Sequence, residues 1–83
     1  MTFSDLPFSG MALPGLGSRL RSCREQRGLS ATQVVGDLGC DVRTLYRWER
    51  DEFEPSIGML ARLAELYGVT VHFLIYGKNG DAA

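Results

Sequence analysis

The sequence predicts an all-α domain of five short helices, on three observations. Apolar residues recur at three- and four-residue spacing along most of the 83-residue chain. Glycines at 28, 39, 68 and 77 stand where those patterns stop, and Ser30, Asp41 and Thr70 stand as caps where new ones start. A chain of this length makes one small domain that buries only about 60% of the surface its unfolded form exposes, so the stability margin is expected to be narrow. With 45% hydrophobic and 23% charged residues, the composition is that of an ordinary soluble globular protein. No apolar run approaches the roughly 20 residues that span a bilayer, and no basic segment precedes an apolar core at the N-terminus. Neither export nor membrane insertion is expected, and the cytoplasm is the default location.

Residues 1–15 mix prolines and glycines with scattered apolar residues and no period, so they are expected to form a mobile arm, with Met11 a second candidate start. Helix one is predicted from about Leu16 to Arg27, with Leu16, Leu20 and Cys23 facing inward and Gly28 ending it. Helix two starts near Ala31, where the Ser30 hydroxyl and the Gln33 side chain form a capping box worth roughly 1 kcal/mol. Val34, Val35 and Leu38 make its inner stripe. Gly39 supplies the left-handed residue that turns the chain, and Asp41 caps a third helix, Asp41–Arg50, whose inner stripe is Leu45 and Trp48.

Helix four is predicted from about Ser56 to Tyr67 behind Pro55, and its apolar arc of Ile57, Leu60, Ala61, Leu63, Ala64 and Tyr67 is wide enough to predict the central, most buried element. Residues 69–77 read as a strand by pattern alone, while Thr70 as cap and Gly77 as stop favour a short fifth helix. This stretch is more apolar than a small domain hides, which makes Val71, His72, Phe73, Ile75 and Tyr76 candidates for an interface with a second copy of the chain. His72 stands without a His or Cys cluster, so it reads as an interface or surface residue, not a metal ligand or catalyst. Cys23 and Cys40 read as buried free thiols with no second pair for zinc, and residues 78–83 as a frayed tail.

Two short helices joined by a three- to four-residue turn at a glycine make a helix-turn-helix, the motif that sets its second helix in the major groove of DNA. Outside the apolar stripe of helix three lie Val42, Arg43, Tyr46, Arg47 and Arg50, four of them on one face by their spacing. Arginine forks onto guanine O6 and N7, and valine packs on a thymine methyl. A charged stripe is also what the solvated side of any short helix looks like. The glycine-hinged pair is what favours base reading.

Net charge pulls the other way, because a formal −1 and a pI near 5.7 are poor credentials for binding phosphates. The total hides a division. Residues 16 to 50 hold seven arginines against four acids, whereas residues 51 to 83 hold two basic residues against five acids. The attractive half contains the proposed reading helix, and the resulting dipole orients an approach to DNA. The arm holds no Lys or Arg, which argues against its entering the minor groove.

The opening L-G-S-R-L-R-x-x-R-E-x-x-G-L-S from Leu16 to Ser30, the D-L-G hinge, L-Y-R-W-E-R, Pro55, and L-A-R-L-A-E-L-Y-G-V before F-L-I-Y-G together resemble the xenobiotic-response-element type of helix-turn-helix regulator, which includes the lambdoid repressors and Cro proteins. The resemblance covers about residues 16 to 77. It implies a lambda-repressor-like five-helix domain, an ion pair between Arg24 and Glu49 that orients the reading helix, base reading by Val42, Arg43 and Arg47, and Tyr46 and Thr44 beside them. Thr32, Arg19, Arg21 and Arg50 are further candidates for DNA contact.

Three positions depart from that pattern. Ala31 stands where a glutamine usually clamps a phosphate, and Val35 where a small alanine lets the helices approach. The third is the loop Asp51–Glu52–Phe53–Glu54–Pro55, where the family commonly has G-x-x-x-P with basic residues, and its carboxylates would repel phosphates. The loop therefore points away from DNA, is compensated by dimerisation, or marks a module that has exchanged DNA for a protein.

Two classes of function stay open. The first is a sequence-specific regulator of transcription, expected to be a repressor, binding double-stranded DNA at a palindromic operator as a homodimer. Without an effector domain after the reading unit, regulation is expected from concentration, operator competition or a separate protein such as a toxin or antirepressor. The second is an interaction module, such as an antitoxin or regulatory subunit, whose main partner is another protein. An enzyme has least support, with one histidine, no paired carboxylates in an evident cleft and no phosphate-binding glycine loop, and no cofactor is called for.

Overall fold

The computed structural model describes residues 15 to 77, which form five helices in the predicted order. They are α1 (Leu16–Gln26), α2 (Ala31–Leu38), α3 (Val42–Glu49), α4 (Ile57–Tyr67) and α5 (Val71–Tyr76). No strand occurs among the described residues, so the apolar stretch after Gly68 resolves as helix. The expected arm and frayed tail fall on residues 1–14 and 78–83, outside the described residues. No helix among the described residues is long and apolar enough to cross a membrane.

Each helix starts and stops for a local reason. Ser30 accepts from the Gln33 backbone at 3.1 Å while the Gln33 side chain accepts from the Ser30 backbone at 2.7 Å, which completes the capping box. Asp41, Ser56 and Thr70 cap α3, α4 and α5 in the same way. At the other ends Gly39, Gly68 and Gly77 adopt left-handed backbone, which glycine reaches without a steric penalty. Helix α1 ends one residue earlier than expected: Arg27 is its cap, and the left-handed Gly28 follows.

The core is continuous from Leu16, Leu20 and Cys23 of α1 through Val34, Val35 and Leu38 to Leu45, Trp48, Leu60, Leu63, Ala64, Tyr67 and Leu74. Helix α1 packs on α3, α4 and α5, and α4 on α1, α2 and α5, so the two share the centre. The wide arc predicted for α4 is therefore corrected. Ile57 is 74% exposed and Ala61 is exposed, because the i, i+3, i+4, i+7 stripe of Leu60, Leu63, Ala64 and Tyr67 is the part of α4 that is buried, with Met59 and Leu66 half-buried at its margins. Among the described residues the Tyr67 hydroxyl is the buried side-chain polar atom without a hydrogen-bond partner.

Helix α5 hides more of itself than expected. Leu74 is fully buried, and Val71, Phe73 and Ile75 pack against the core half-buried, which leaves His72 and Tyr76 outward with their rings 4.6 Å apart. Both cysteines are free, Cys23 buried and Cys40 only half-buried. Burial pushes both thiols above their ordinary pKa, which keeps them protonated.

Candidate nucleic-acid interface

The reading helix is fixed from behind. Leu45 is fully buried and Trp48 nearly so, one turn apart on α3, and the neighbouring Glu49 is buried as well. The Arg24 guanidinium donates to both carboxylate oxygens of Glu49, at 2.7 and 3.1 Å, and also to the Leu29 carbonyl at 3.2 Å. The side chains are only 12% and 4% exposed, so this is a bidentate, desolvated pair of the kind the resemblance implied. Its hydrogen bond to Glu49 raises the Arg24 pKa, which keeps the guanidinium charged. A buried pair of this sort is weak evidence of net stability, but it ties the end of α3 to α1 at two oxygens.

A second brace was not legible from spacing. The N-terminus of α1 abuts the end of α3 at Gly17, where a Cβ would stand 2.6 and 2.7 Å from the Glu49 and Trp48 carbonyl oxygens. Only glycine permits that approach. The Gly17 amide donates to Asp51 at 2.8 Å, and Asp51 itself has a φ of 62°, alone among described non-glycine residues in being left-handed. The residue that stands where the family commonly has glycine thus occupies a glycine conformation, and its carboxylate offsets the strain with a hydrogen bond to a helix N-terminus.

Outward from this frame, α3 presents Arg43, Tyr46 and Arg50 exposed and Val42, Thr44 and Arg47 half-buried, Val42 resting against the core. Thr32 is exposed at the start of α2. A groove of about 330 Å³ lies between α1 and α3, lined by Arg21, Arg24, Tyr46, Glu49 and Arg50. Arg21 is exposed on its rim and pairs with Glu25 at 3.2 Å, an ion pair in solvent that a phosphate can displace. Arg19 lies elsewhere. Its guanidinium donates to the Leu74 and Ile75 carbonyls at 2.7 and 2.6 Å, capping the end of α5. Arg62 does the same for α2 through the Asp37 carbonyl at 2.6 Å.

The acidic loop folds back on the reading helix. Glu52 and Phe53 both donate backbone hydrogen bonds to the Arg47 carbonyl, at 2.9 and 3.4 Å. The Glu52 carboxylate then lies 2.8 Å from Arg50 Nε and 3.5 Å from Arg47 Nε, while the Arg47 guanidinium stacks 4.1 Å above the Phe53 ring. The hydrogen bond from Arg50 holds the Glu52 carboxyl below its ordinary pKa. The Asp51 carboxylate is thereby engaged with α1 and the Glu52 carboxylate with Arg47 and Arg50. Nothing in residue spacing marked Glu52 or Phe53 as part of the site, because the contact depends on the left-handed turn at Asp51.

The fold and its outward helix define a helix-turn-helix module, and comparison with known proteins agrees. A family model described as a helix-turn-helix domain matches residues 15–72, and the chain belongs to that family. It is 40% identical over 62 residues to the HTH-type transcriptional regulator DdrOP3 of Deinococcus deserti, covering 75% of this chain and 48% of that one. It is 31% identical over 65 residues to YonR, a prophage-derived HTH-type transcriptional regulator of Bacillus subtilis, covering 78% and 60%. The chain therefore spans only about half to three-fifths of the length of these relatives. Among solved structures, the BldD DNA-binding domain of S. venezulae superposes with a TM-score of 0.62 at 34% identity, covering 72% of this chain and 90% of that domain. The resemblance to the xenobiotic-response-element type of helix-turn-helix regulator and the all-α five-helix fold are both borne out.

Proposed function

We propose that this chain is a sequence-specific DNA-binding regulator of transcription that sets α3 in the major groove. The observation that carries it is a rod anchored at the back by Leu45, Trp48 and the Arg24–Glu49 pair, with Arg43 and Arg47 on its outward side. In this role Val42, Arg43 and Arg47 read base edges, Thr44 and Tyr46 flank them, and Arg21, Arg50 and Thr32 meet phosphates. The chain acts as a homodimer on a palindromic operator, two copies of α3 falling about one helical turn apart, with the exposed His72 and Tyr76 of α5 at the contact. Repression follows when the operator overlaps a promoter.

The similarity to named transcriptional regulators and to a domain titled DNA-binding supports this class. The loop that favoured a protein partner in the sequence folds onto α3, which removes the main support for that alternative. Selection of bound duplexes from a random pool tests the proposal. A single enriched inverted repeat is expected, and a pool that stays random after several rounds at low salt contradicts it.

A further inference from the structure

We infer that Glu52 is a positioning residue that sets DNA specificity by withholding Arg47 and Arg50 from sequence-independent phosphate binding. The inference rests on the DNA-binding reading above and goes beyond it. Its basis is a juxtaposition outside the helix-turn-helix motif: one carboxylate spans the two arginines at 3.5 and 2.8 Å, and an aromatic ring lies under one of them. Arg47 lies on the outward face of α3, Arg50 is the helix's exposed C-cap residue, and the carboxylate comes from the loop that immediately follows.

Sequence-independent binding draws on neutralised phosphates alone. A phosphate that approaches Arg50 must displace a carboxylate already hydrogen-bonded to its Nε, so little is gained by the exchange. Binding to the correct sequence draws on base contacts as well, and it loses less. Phe53 adds a second effect in the same direction. Its ring is 51% exposed, an unusual state for a phenylalanine, and the Arg47 guanidinium carbon lies over it at 4.1 Å from the centroid, which limits the rotamers the arginine must give up when it forks onto a base. Loop and ring together thus lower the background and pre-order the reader.

The test compares wild type with Glu52→Gln, Glu52→Asp and Phe53→Ala, after thermal melts establish that each is folded. Binding is titrated on a scrambled duplex and on the duplex selected by wild type, between about 50 and 200 mM salt. For Glu52→Gln, scrambled-duplex affinity is expected to rise about tenfold at the lower salt, and the log–log salt slope to steepen by about one to two. The ratio of selected to scrambled affinity falls correspondingly. Glu52→Asp, which keeps the charge, retains most of the wild-type ratio. Phe53→Ala loses about tenfold on the selected duplex with an unchanged salt slope. An unchanged slope and ratio in Glu52→Gln, with wild type retained on DNA, overturns this inference and leaves the DNA-binding reading standing. No retention of any duplex by wild type or Glu52→Gln at the lower salt overturns both.

Discussion

On the inner face of α3 the charged residue Glu49 is buried and gripped at both oxygens by Arg24, whereas on the outer face Arg47 and Arg50 share a carboxylate that stands in solvent. The chemistry is the same, and the environment decides what it does. The inner pair has lost its water, so breaking it leaves an uncompensated buried charge. Around the outer arginines, water and ions screen every interaction, so the partners exchange readily for a stronger anion. A helix that must hold its angle while trading partners needs both arrangements, and here they lie within two residues of each other at the C-terminal end of α3.

The contrast can be broken hardest at Trp48. Trp48→Ala removes the largest anchor of the inner face, at a cost of roughly 3 to 5 kcal/mol in a domain with a narrow margin. Loss of the cooperative thermal transition is expected, and a melt near wild type would contradict the anchoring role. Next in size is Arg24→Ala, which strands the Glu49 carboxylate and costs about 3 kcal/mol or more by denaturant titration. Replacing the pair together, Arg24→Met with Glu49→Leu, is expected to recover most of that stability while weakening the selected duplex. Recovery of both would show that the pair orients nothing.

On the outer face the effects are smaller and of another kind. Arg47→Ala is expected to leave the melt unchanged and to relax base preference at one position of each half-site by about 1 to 3 kcal/mol. A wild-type binding profile would show that another residue reads that base. Smallest is the response to acid. Asp41 is held below its ordinary 3.8 by the Thr44 amide, and Glu52 below its ordinary 4.5 by Arg50. A depressed folded pKa stabilises above the unfolded value and loses that contribution as pH falls through the folded one. Denaturant midpoints followed by Trp48 fluorescence are therefore expected to decline below about pH 4.5, and less steeply in Asp41→Asn and Glu52→Gln.

Much of this molecule was legible before its coordinates, for reasons that differ by region. Ser30, Gln33, Gly39, Asp41 and Thr70 act on backbone within four residues, so their capping and turning roles are written locally. The inner stripe of α3 was equally plain from the one-turn spacing of Leu45 and Trp48. Ile57 and Ala61 misled because periodicity describes the width of an apolar arc and not how many neighbours meet it. The engagement of Arg19 with α5 was not legible, because its carbonyl partners lie 55 and 56 residues away. The loop from Asp51 to Glu54 read as a repulsive patch because charge can be counted in a sequence but direction cannot, and the turn at Asp51 is what aims Glu52 and Phe53 at α3.

The central claim is that the outward side of α3 meets DNA while its inner side stays fixed to α1. Backbone amide shifts of the labelled protein, followed while the selected duplex is titrated in, test it most directly. The largest changes are expected from Val42 to Arg50, with the Arg24 and Glu49 side-chain signals held in place. Changes concentrated on α4 or α5, with α3 silent, would contradict it.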